Sequence, residues 1–326
     1  VNYVRAFAPA TSANVAVGFD LLGFSMGVIG DIVGLQKTKS REIKIVSLSS
    51  LPSLETSSKW VGPTMGISLE PAKNTATAGL LQLQQDLNLP FGFEVSIEKG
   101  IPLGSGLGGS AASAVAAIVA ANKLLEKPLS KEQILSYALL GEAQASGSFH
   151  ADNLAPCLYG GLTLARVRDS SSLPTVEVLS LPTPSDLYAV LVHPEISIET
   201  KTARALLRKD LSLKAHIEQL ANLAGFIAAC FSNDLSLMGK SLYDILIEPQ
   251  RAHLIPGFYD IQKAAVEAGA LGCSISGAGP SVFAWVQGAT QAERARLTMS
   301  KVLQTMQVEF SSWVVKMPQS GARLLP

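Results

Sequence analysis

Gly100-Ile-Pro-Leu-Gly-Ser-Gly-Leu-Gly-Gly-Ser110 is the stretch on which the fold turns. Before it, Gly92 to Glu98 alternates like a strand; after it, Ser110 to Leu125 is small and apolar on every side, as a buried helix is. Strand, glycine loop, helix is an arrangement that holds anions. Glycine lets backbone N–H groups approach a ligand closely, and the helix N-terminus adds about half a positive charge. Phosphate is the natural occupant.

The residues around this loop bound what the phosphate can belong to. The chain has 326 residues, enough for two domains, and is 48% hydrophobic and 16% charged, so it can bury a large core. Lys+Arg and Asp+Glu both number 26, and no basic run stands out, which argues against nucleic acid and acidic membrane surfaces as partners. Small molecules are expected instead. Cys157, Cys230 and Cys273 lie far apart without metal-ligand or disulfide spacing, which favours a reducing cytosol. The apolar stretch Ala111 to Ala121 is too short for a bilayer, and no signal segment precedes the first strand-like stretch.

Outward from the loop, the first half reads as a strand at Val1 to Pro9, a polar loop at Thr11 to Asn14, and strands near Asp31–Lys39 and Ile43–Leu48. A Ser- and Pro-rich loop follows at Ser49 to Thr64, and Thr75 to Leu87 reads as a helix. After the loop, Ser130-Lys-Glu-Gln133 forms a capping box for a helix to about Ala145, and a polar loop from Ser146 to Pro156 leads to a strand at Leu162–Val167. Ser170 to Pro184 is the expected neighbourhood of a boundary, placing an N-terminal domain at 1–168 and a C-terminal one at 169–326. The second half alternates: strands at Leu187–Val192, Cys273–Ser276, Val282–Val286 and Ser312–Lys316, with helices at 200–207, 213–231, 235–246, 258–268 and 291–306. The fold class is α+β.

The loop itself admits several readings. A Walker A loop is excluded, since it needs a Lys and none is present. Gly104-Ser-Gly106-Leu-Gly108-Gly109 fits the dinucleotide fingerprint, but the acidic strand end about 20 residues on is replaced by a turn at Glu126 to Ser130. A tight turn without any ligand is the bland alternative, disfavoured by five glycines within ten residues.

Pro102-Leu-Gly-Ser-Gly-Leu-Gly-Gly-Ser-Ala111 also resembles the phosphate loop of the superfamily containing galactokinase, homoserine kinase, mevalonate kinase and phosphomevalonate kinase. Pro9-Ala-Thr-Ser-Ala-Asn14 with Gly18-Phe-Asp20, and Gly272 to Pro280, resemble two further motifs of that superfamily. Ser146 to Asn153 with Ala155-Pro156, Thr200-Lys-Thr-Ala-Arg204, Glu248-Pro-Gln-Arg251 with Ile255-Pro-Gly257, and Gly321-Ala-Arg323 resemble the homoserine kinase family in particular. The likeness runs in register from about residue 5 to 323. It implies an N-terminal domain like ribosomal protein S5 domain 2, a ferredoxin-like C-terminal domain and an active site between them. It further implies ATP-dependent phosphorylation of L-homoserine in threonine biosynthesis, in the cytoplasm, with Mg²⁺; a homodimer is a family-level expectation. The alternatives are a sister small-alcohol kinase and a catalytically silent ligand-binding relative.

Site residues follow from chemistry and resemblance together. Pro102, Leu103, Gly104, Ser105, Gly106, Leu107, Gly108, Gly109, Ser110 and Ala111 are the expected nucleotide loop, with Asn74 and Lys99 nearby. Glu142 shares one helix face with Leu135, Ala138 and Leu139, so its carboxylate needs a partner: a salt bridge, a snorkelling geometry or a metal. The resemblance assigns Mg²⁺ to Ser110 and Glu142. In sister kinases an Asp follows that Glu as the expected base; here the position holds Asn153, which cannot accept a proton at neutral pH, so direct transfer with Asn153 orienting the hydroxyl is expected. Polar turn residues would explain His150, Asp152 and Asn153 equally well without a ligand. For the amino-acid ends, Asp20 with Asn14 and Asp152 suits an ammonium, and Arg204 and Arg251 suit a carboxylate, with His150, Thr202 and Gly277 bordering the pocket. Each Arg can also be an ordinary surface charge. One departure stands out: Gly109 replaces the first of two serines usual in the family, leaving Ser110 alone.

Overall fold

The computed structural model describes residues 2–51, 64, 66–147, 149–168 and 173–326. The first half contains β1 (Tyr3–Ala13), β2 (Leu22–Thr38), β3 (Ile43–Ser50), α1 (Thr75–Asp86), β4 (Gly92–Lys99), α2 (Gly109–Leu124), α3 (Lys131–Ser146), α4 (Leu154–Tyr159), β5 (Leu162–Arg168) and β6 (Thr175–Leu181). The second contains β7 (Leu187–Pro194), α5 (Thr200–Ala205), α6 (Leu213–Ser232), α7 (Leu235–Ser241), α8 (Glu248–Arg251), α9 (Phe258–Glu267), β8 (Ala270–Ile275), β9 (Val282–Gln287), α10 (Ala289–Thr305), β10 (Phe310–Lys316) and β11 (Arg323–Leu324).

The α+β expectation holds, with several changes. Thr11 to Ala13 belongs to β1 rather than to a loop, because β1 resumes beyond an irregularity at Pro9 and pairs with Gly23 to Ser25. β2 starts at Leu22, nine residues before the expected strand, since its two ends serve different partners: β5 at Leu22–Phe24 and β4 at Ile32–Thr38. Leu154–Tyr159 is a short helix inside the expected polar loop, driven by burial of Leu154, Ala155, Pro156, Cys157 and Leu158. The strand β6 lies in the expected boundary neighbourhood and pairs with β5. The first sheet therefore extends past 168 to Leu181, and it takes back β11 on the outer edge of β1. α7 ends at Ser241, short of the expected Leu246. Positions 52–63 of the expected Ser- and Pro-rich loop, and 170–172 of the boundary stretch, lie outside the described residues.

Helix α2 packs on β1 and β2 with one side and on α1 and α3 with the other. Its alanines make this possible: Ala111, Ala112, Ala114, Ala116, Ala117, Ala120 and Ala121 are all buried. Ser130 and Gln133 form the expected capping box at the start of α3. The second sheet runs β10-β7-β9-β8, all antiparallel, which in sequence order is 4-1-3-2, the ferredoxin-like arrangement. One face carries α9 and α10. The other meets the first half through Phe24, whose ring lies 5.6 Å from Phe283 and 5.5 Å from Trp285 in edge-to-face geometry. Such pairs contribute ~1 kcal/mol each beyond area burial. One core joins the two halves, and the cleft lies along their seam.

Candidate functional site

The cleft encloses about 620 Å³ between the glycine loop, the turn after β1, the helix α3 and the 197–204 segment. The loop's backbone is set by both halves. Gly104, Gly106 and Gly108 have φ of +62°, +74° and +69°. A Cβ at Gly106 would lie 2.4 Å from the Ser276 carbonyl, and one at Gly108 would lie 2.1 Å from Thr11 Oγ1, so neither position admits a side chain. The loop carbonyls are taken by neighbours: Gly104 O accepts from Ile198 N (2.9 Å), Ser105 O from Ser281 N (3.2 Å), and Gly106 O from Ser276 Oγ (2.8 Å). The first-turn N–H groups of α2 have no acceptor in their own helix and face the cleft, an arrangement able to take an anion. Ser105 does not add a hydroxyl there, because its Oγ donates to Pro102 O at 2.7 Å. Ala111 is fully buried under the loop and does not line the cleft.

Beneath the loop lies a buried polar node that sequence reasoning missed. Asp31, with no exposure, accepts from Gly100 N (3.0 Å), Ile101 N (3.2 Å) and Ser113 Oγ (2.7 Å), and pairs with Lys99. Lys99 Nζ also donates to Gly109 O and Ser113 Oγ, both at 2.9 Å. The Lys99 ammonium is thus committed to bracing the loop from below. Asn74 lines the cleft too, but as the N-cap of α1: its Oδ1 accepts from Ala76 N (2.9 Å) and its Nδ2 donates to Ser68 O (2.7 Å).

Helix α3 delivers Glu142 to Ser110 across the seam between helices. Burial pushes the Glu142 carboxyl up to about 7, opposed by a hydrogen bond from Ser110 and the charge of Lys99. A carboxyl and a hydroxyl in contact, beside an anion loop, are hard oxygen donors of the kind Mg²⁺ accepts alongside phosphate and water. A cation there would lift the desolvation penalty that raises this pKa. The donor set fits the metal.

The other end of the cleft rests on a left-handed turn. Asn14, Val15 and Ala16 have φ of 71°, 45° and 57°, rare for non-glycine residues and unusual for a β-branched one. The turn is held by Asn14 N to Leu22 O (2.7 Å) and Gly18 N to Asn14 O (2.8 Å). It presents Asp20, whose backbone N–H donates to Asn14 Oδ1 (3.1 Å). Asn14 Nδ2 in turn donates to Gly277 O at 2.9 Å, linking the two halves. Arg204 meets Asp20 with both nitrogens, at 2.6 and 3.0 Å. His150 Nδ1 lies 3.5 Å from Asp20, and burial holds its pKa below the usual value. Arg251, 2% exposed, donates to Ala203 O and Gly277 O, both at 3.3 Å, and burial lowers its pKa to about 10. The Arg204 and Arg251 guanidinium groups lie 5.2 and 5.3 Å from the Phe19 ring. Asp152 is buried, and desolvation with the nearby Asp20 and Glu142 carboxyls raises its pKa to about 7.

Between the two ends, Asn153 stands at the start of α4 without capping it with its side chain; its Oδ1 instead accepts the Thr11 hydroxyl at 2.7 Å. Its amide nitrogen is left for the cleft. Thr202 departs from expectation: it is exposed, bonds Glu199 (3.2 Å) and does not line the cleft, because the turn of α5 that presents Arg204 points Thr202 elsewhere. Two further residues brace the Asp20 and Arg251 end of the cleft from behind. The Gln219 amide, buried on α6, donates to Val17 O (3.4 Å) and accepts from Ile245 N (3.1 Å), tying the Asp20 turn to the segment that leads to Arg251. Asp244 accepts from the N–H groups of Leu246, Ile247 and Glu248 at 2.8–3.0 Å, capping the turn into α8. An isolated Gln in a helix gives no sign of such a role; Asp ahead of a short helix does, as a cap.

Comparison with known proteins follows from this geometry. Residues 74–161 match the GHMP kinases N terminal domain, and residues 226–305 match GHMP kinases C terminal. The homoserine kinase of Xylella fastidiosa strain M12 is 44% identical over 324 residues, covering 99% of this chain and 94% of that protein. The homoserine kinase of Chloroherpeton thalassium is 37% identical over 332 residues, with full coverage of both. The crystal structure of homoserine kinase from Cytophaga hutchinsonii superposes with a TM-score of 0.90 at 39% identity, covering 100% of this chain and 98% of that one. The mevalonate kinase of L. major, at 14% identity and a TM-score of 0.64, shares the fold.

Proposed function

Because the chain belongs to the homoserine kinases, within the GHMP kinases, we propose that its cleft transfers the γ-phosphoryl group of ATP directly to the L-homoserine hydroxyl, without a side-chain base. The overall reaction is that of its family, giving O-phospho-L-homoserine for amino-acid biosynthesis. The observation that carries the mechanism is Asn153, an amide with its oxygen already engaged by Thr11, where sister enzymes place a carboxylate. Asn153 orients the substrate hydroxyl. The loop 102–110 cradles the phosphates through its N–H groups, and Ser110 with Glu142 would hold Mg²⁺, which when bound neutralises charge on the transferring group.

Phosphoryl transfer has a loose transition state, so positioning and charge stabilisation carry the catalysis. Asp20, with Asn14, receives the ammonium; Arg204 and Arg251 receive the carboxylate; His150, Asp152 and the Gly277 backbone border the same pocket. Lys99 acts on the loop from beneath rather than on the nucleotide. No helix among the described residues is long and apolar enough to cross a membrane, and three buried free thiols support the cytoplasm as compartment.

The test is ADP release with Mg-ATP and a panel of homoserine, threonine, mevalonate and galactose. Turnover is expected with homoserine, with the others near the ATP-only background. Homoserine at background level would overturn the reading.

A further inference from the structure

Phe19 lines the cleft beside Asn14, Asp20, His150, Asp152, Arg204 and Arg251, an aromatic ring among charged and polar groups. It is half-buried there and belongs to neither hydrophobic core. The chain is tightly constrained on both sides of it. A Cβ at Gly18 would lie 2.2 Å from Leu22 Cγ, and Asp20 is left-handed, with φ of 60°. The turn thus offers two adjacent residues to the second half of the molecule. Asp20 meets Arg204 with its charge, and Phe19 meets Arg204 and Arg251 with its ring, at 5.2 and 5.3 Å. Both distances lie within the reach of a cation–π attraction.

Two guanidinium groups beside one ring repel each other. Burial first, and then the charge of Arg204, lower the pKa of Arg251. A carboxylate set between them would relieve the repulsion, but it would also take the donors that an incoming carboxylate needs. A benzene ring acts differently. Its face attracts cations through the ring quadrupole and leaves their N–H groups to a ligand. A leucine would fill similar space and attract neither arginine. The hydrogen bonds that hold Arg251 are long, 3.3 Å to Ala203 O and to Gly277 O, so the ring has a share in fixing it. Arg204 is held by Asp20 until an ammonium competes for that carboxylate, whereas its contact with Phe19 persists when the substrate is in place.

We infer that Phe19 is a positioning residue for the substrate carboxylate: its ring holds Arg204 and Arg251 at one spacing, so that both present N–H groups to the same anion. This role rests on the two arginines receiving the carboxylate of homoserine.

Steady-state kinetics on the full chain test it, with Phe19→Leu and with a ring-trifluorinated phenylalanine in place of Phe19. The fluorinated ring keeps the shape and weakens the quadrupole, so it reads the attraction even where Phe19→Leu folds poorly; circular dichroism checks both. KM for homoserine rises about 5- to 30-fold with Leu and about 3- to 10-fold with the fluorinated ring, the scale of two cation–π contacts. KM for ATP and kcat stay within about twofold, as for a group that acts on substrate binding alone. A homoserine KM unchanged by the fluorinated ring, or a KM for ATP that rises in parallel, overturns the role of Phe19. Arg204→Gln, measured alongside, tells the two failures apart. If its KM for homoserine is also unchanged, the carboxylate assignment falls and Phe19 with it; if that KM rises while the Phe19 variants match wild type, Phe19 alone is overturned.

Discussion

Asp20 and Arg204 hold each other in a two-point ion pair across the cleft, at 2.6 and 3.0 Å, from opposite halves of the molecule. The two groups are the complements of an ammonium and a carboxylate, so an amino acid entering here exchanges one ion pair for two. Asp20→Asn and Arg204→Gln are each expected to raise KM for homoserine by roughly 10- to 100-fold, in line with ~1.5–3 kcal/mol for a charged hydrogen bond. KM for ATP should stay within about twofold. Equal loss of both substrates would show that the pair serves only to hold the halves together.

Asn153→Asp places a carboxylate where a base would sit. A positioned general base contributes roughly 100- to 10,000-fold. If the reaction needs none, steady-state kcat rises by less than about tenfold across the neutral pH range. A larger gain would mean the wild-type site lacks a base it could use.

Gln219→Leu removes the amide between the Asp20 turn and the segment carrying Arg251. Val17 O and Ile245 N then lose their partner, and misplacement of both substrate-holding groups should raise KM for homoserine about 5- to 20-fold. Gln219→Glu keeps the acceptor for Ile245 N and recovers part of the loss. Unchanged KM for homoserine in Gln219→Leu would remove Gln219 from the site's support.

Gly109 can carry a side chain. A Cβ there would meet Ile101 Cγ2 at 3.3 Å, a tight contact that a small shift of that side chain relieves, and its backbone is not left-handed. Gly109→Ser restores a hydroxyl at the anion end of the cleft and should lower KM for ATP by up to about tenfold, the scale of one hydrogen bond. Fluorescence titration with ATP reads this directly; an unchanged or weaker affinity would show that backbone N–H groups already satisfy the phosphates.

Stability should depend on pH through Glu248. Burial pushes its carboxyl up to about 7, against hydrogen bonds from Ser274 and Gln262. The folded chain thus holds a proton that the unfolded chain releases near 4.5. The sign follows: the residue's contribution is fully present below about 4.5 and is lost as pH rises to about 7. Glu248→Gln carries no such loss, so urea denaturation should find the variant gaining on wild type by on the order of 3 kcal/mol between pH 4.5 and 8. A pH-independent difference would place the charge elsewhere.

The loop, its helix, Glu142 and the two arginines were legible in the sequence because each announces itself locally. Glycines cluster where backbone must approach an anion, and a carboxylate on an apolar helix stripe asks for a partner. The ferredoxin-like order and the function came through resemblance, not from periodicity. Thr11 and Ser12 looked like loop residues because they are polar; they are strand residues buried by β2, an instance of tertiary packing overriding local preference. Leu154–Tyr159 was hidden by the Asp-Asn pair before it, which reads equally as a turn. Asp31 and Gln219 left no trace, since their partners lie 68 and 202 residues away. Thr202 misled because motif likeness carries no information on which way a side chain in a short helix points.

The return of Arg323–Leu324 to the outer edge of β1 has a consequence for how the chain is made. During synthesis β1 emerges well before its edge partner, which is translated more than 300 positions later. Until then the bare rim of β1 can be reached by any other nascent strand. The edge of β1 at Ala6 and Phe7 is thus closed only by one of the last segments of the fold to be made.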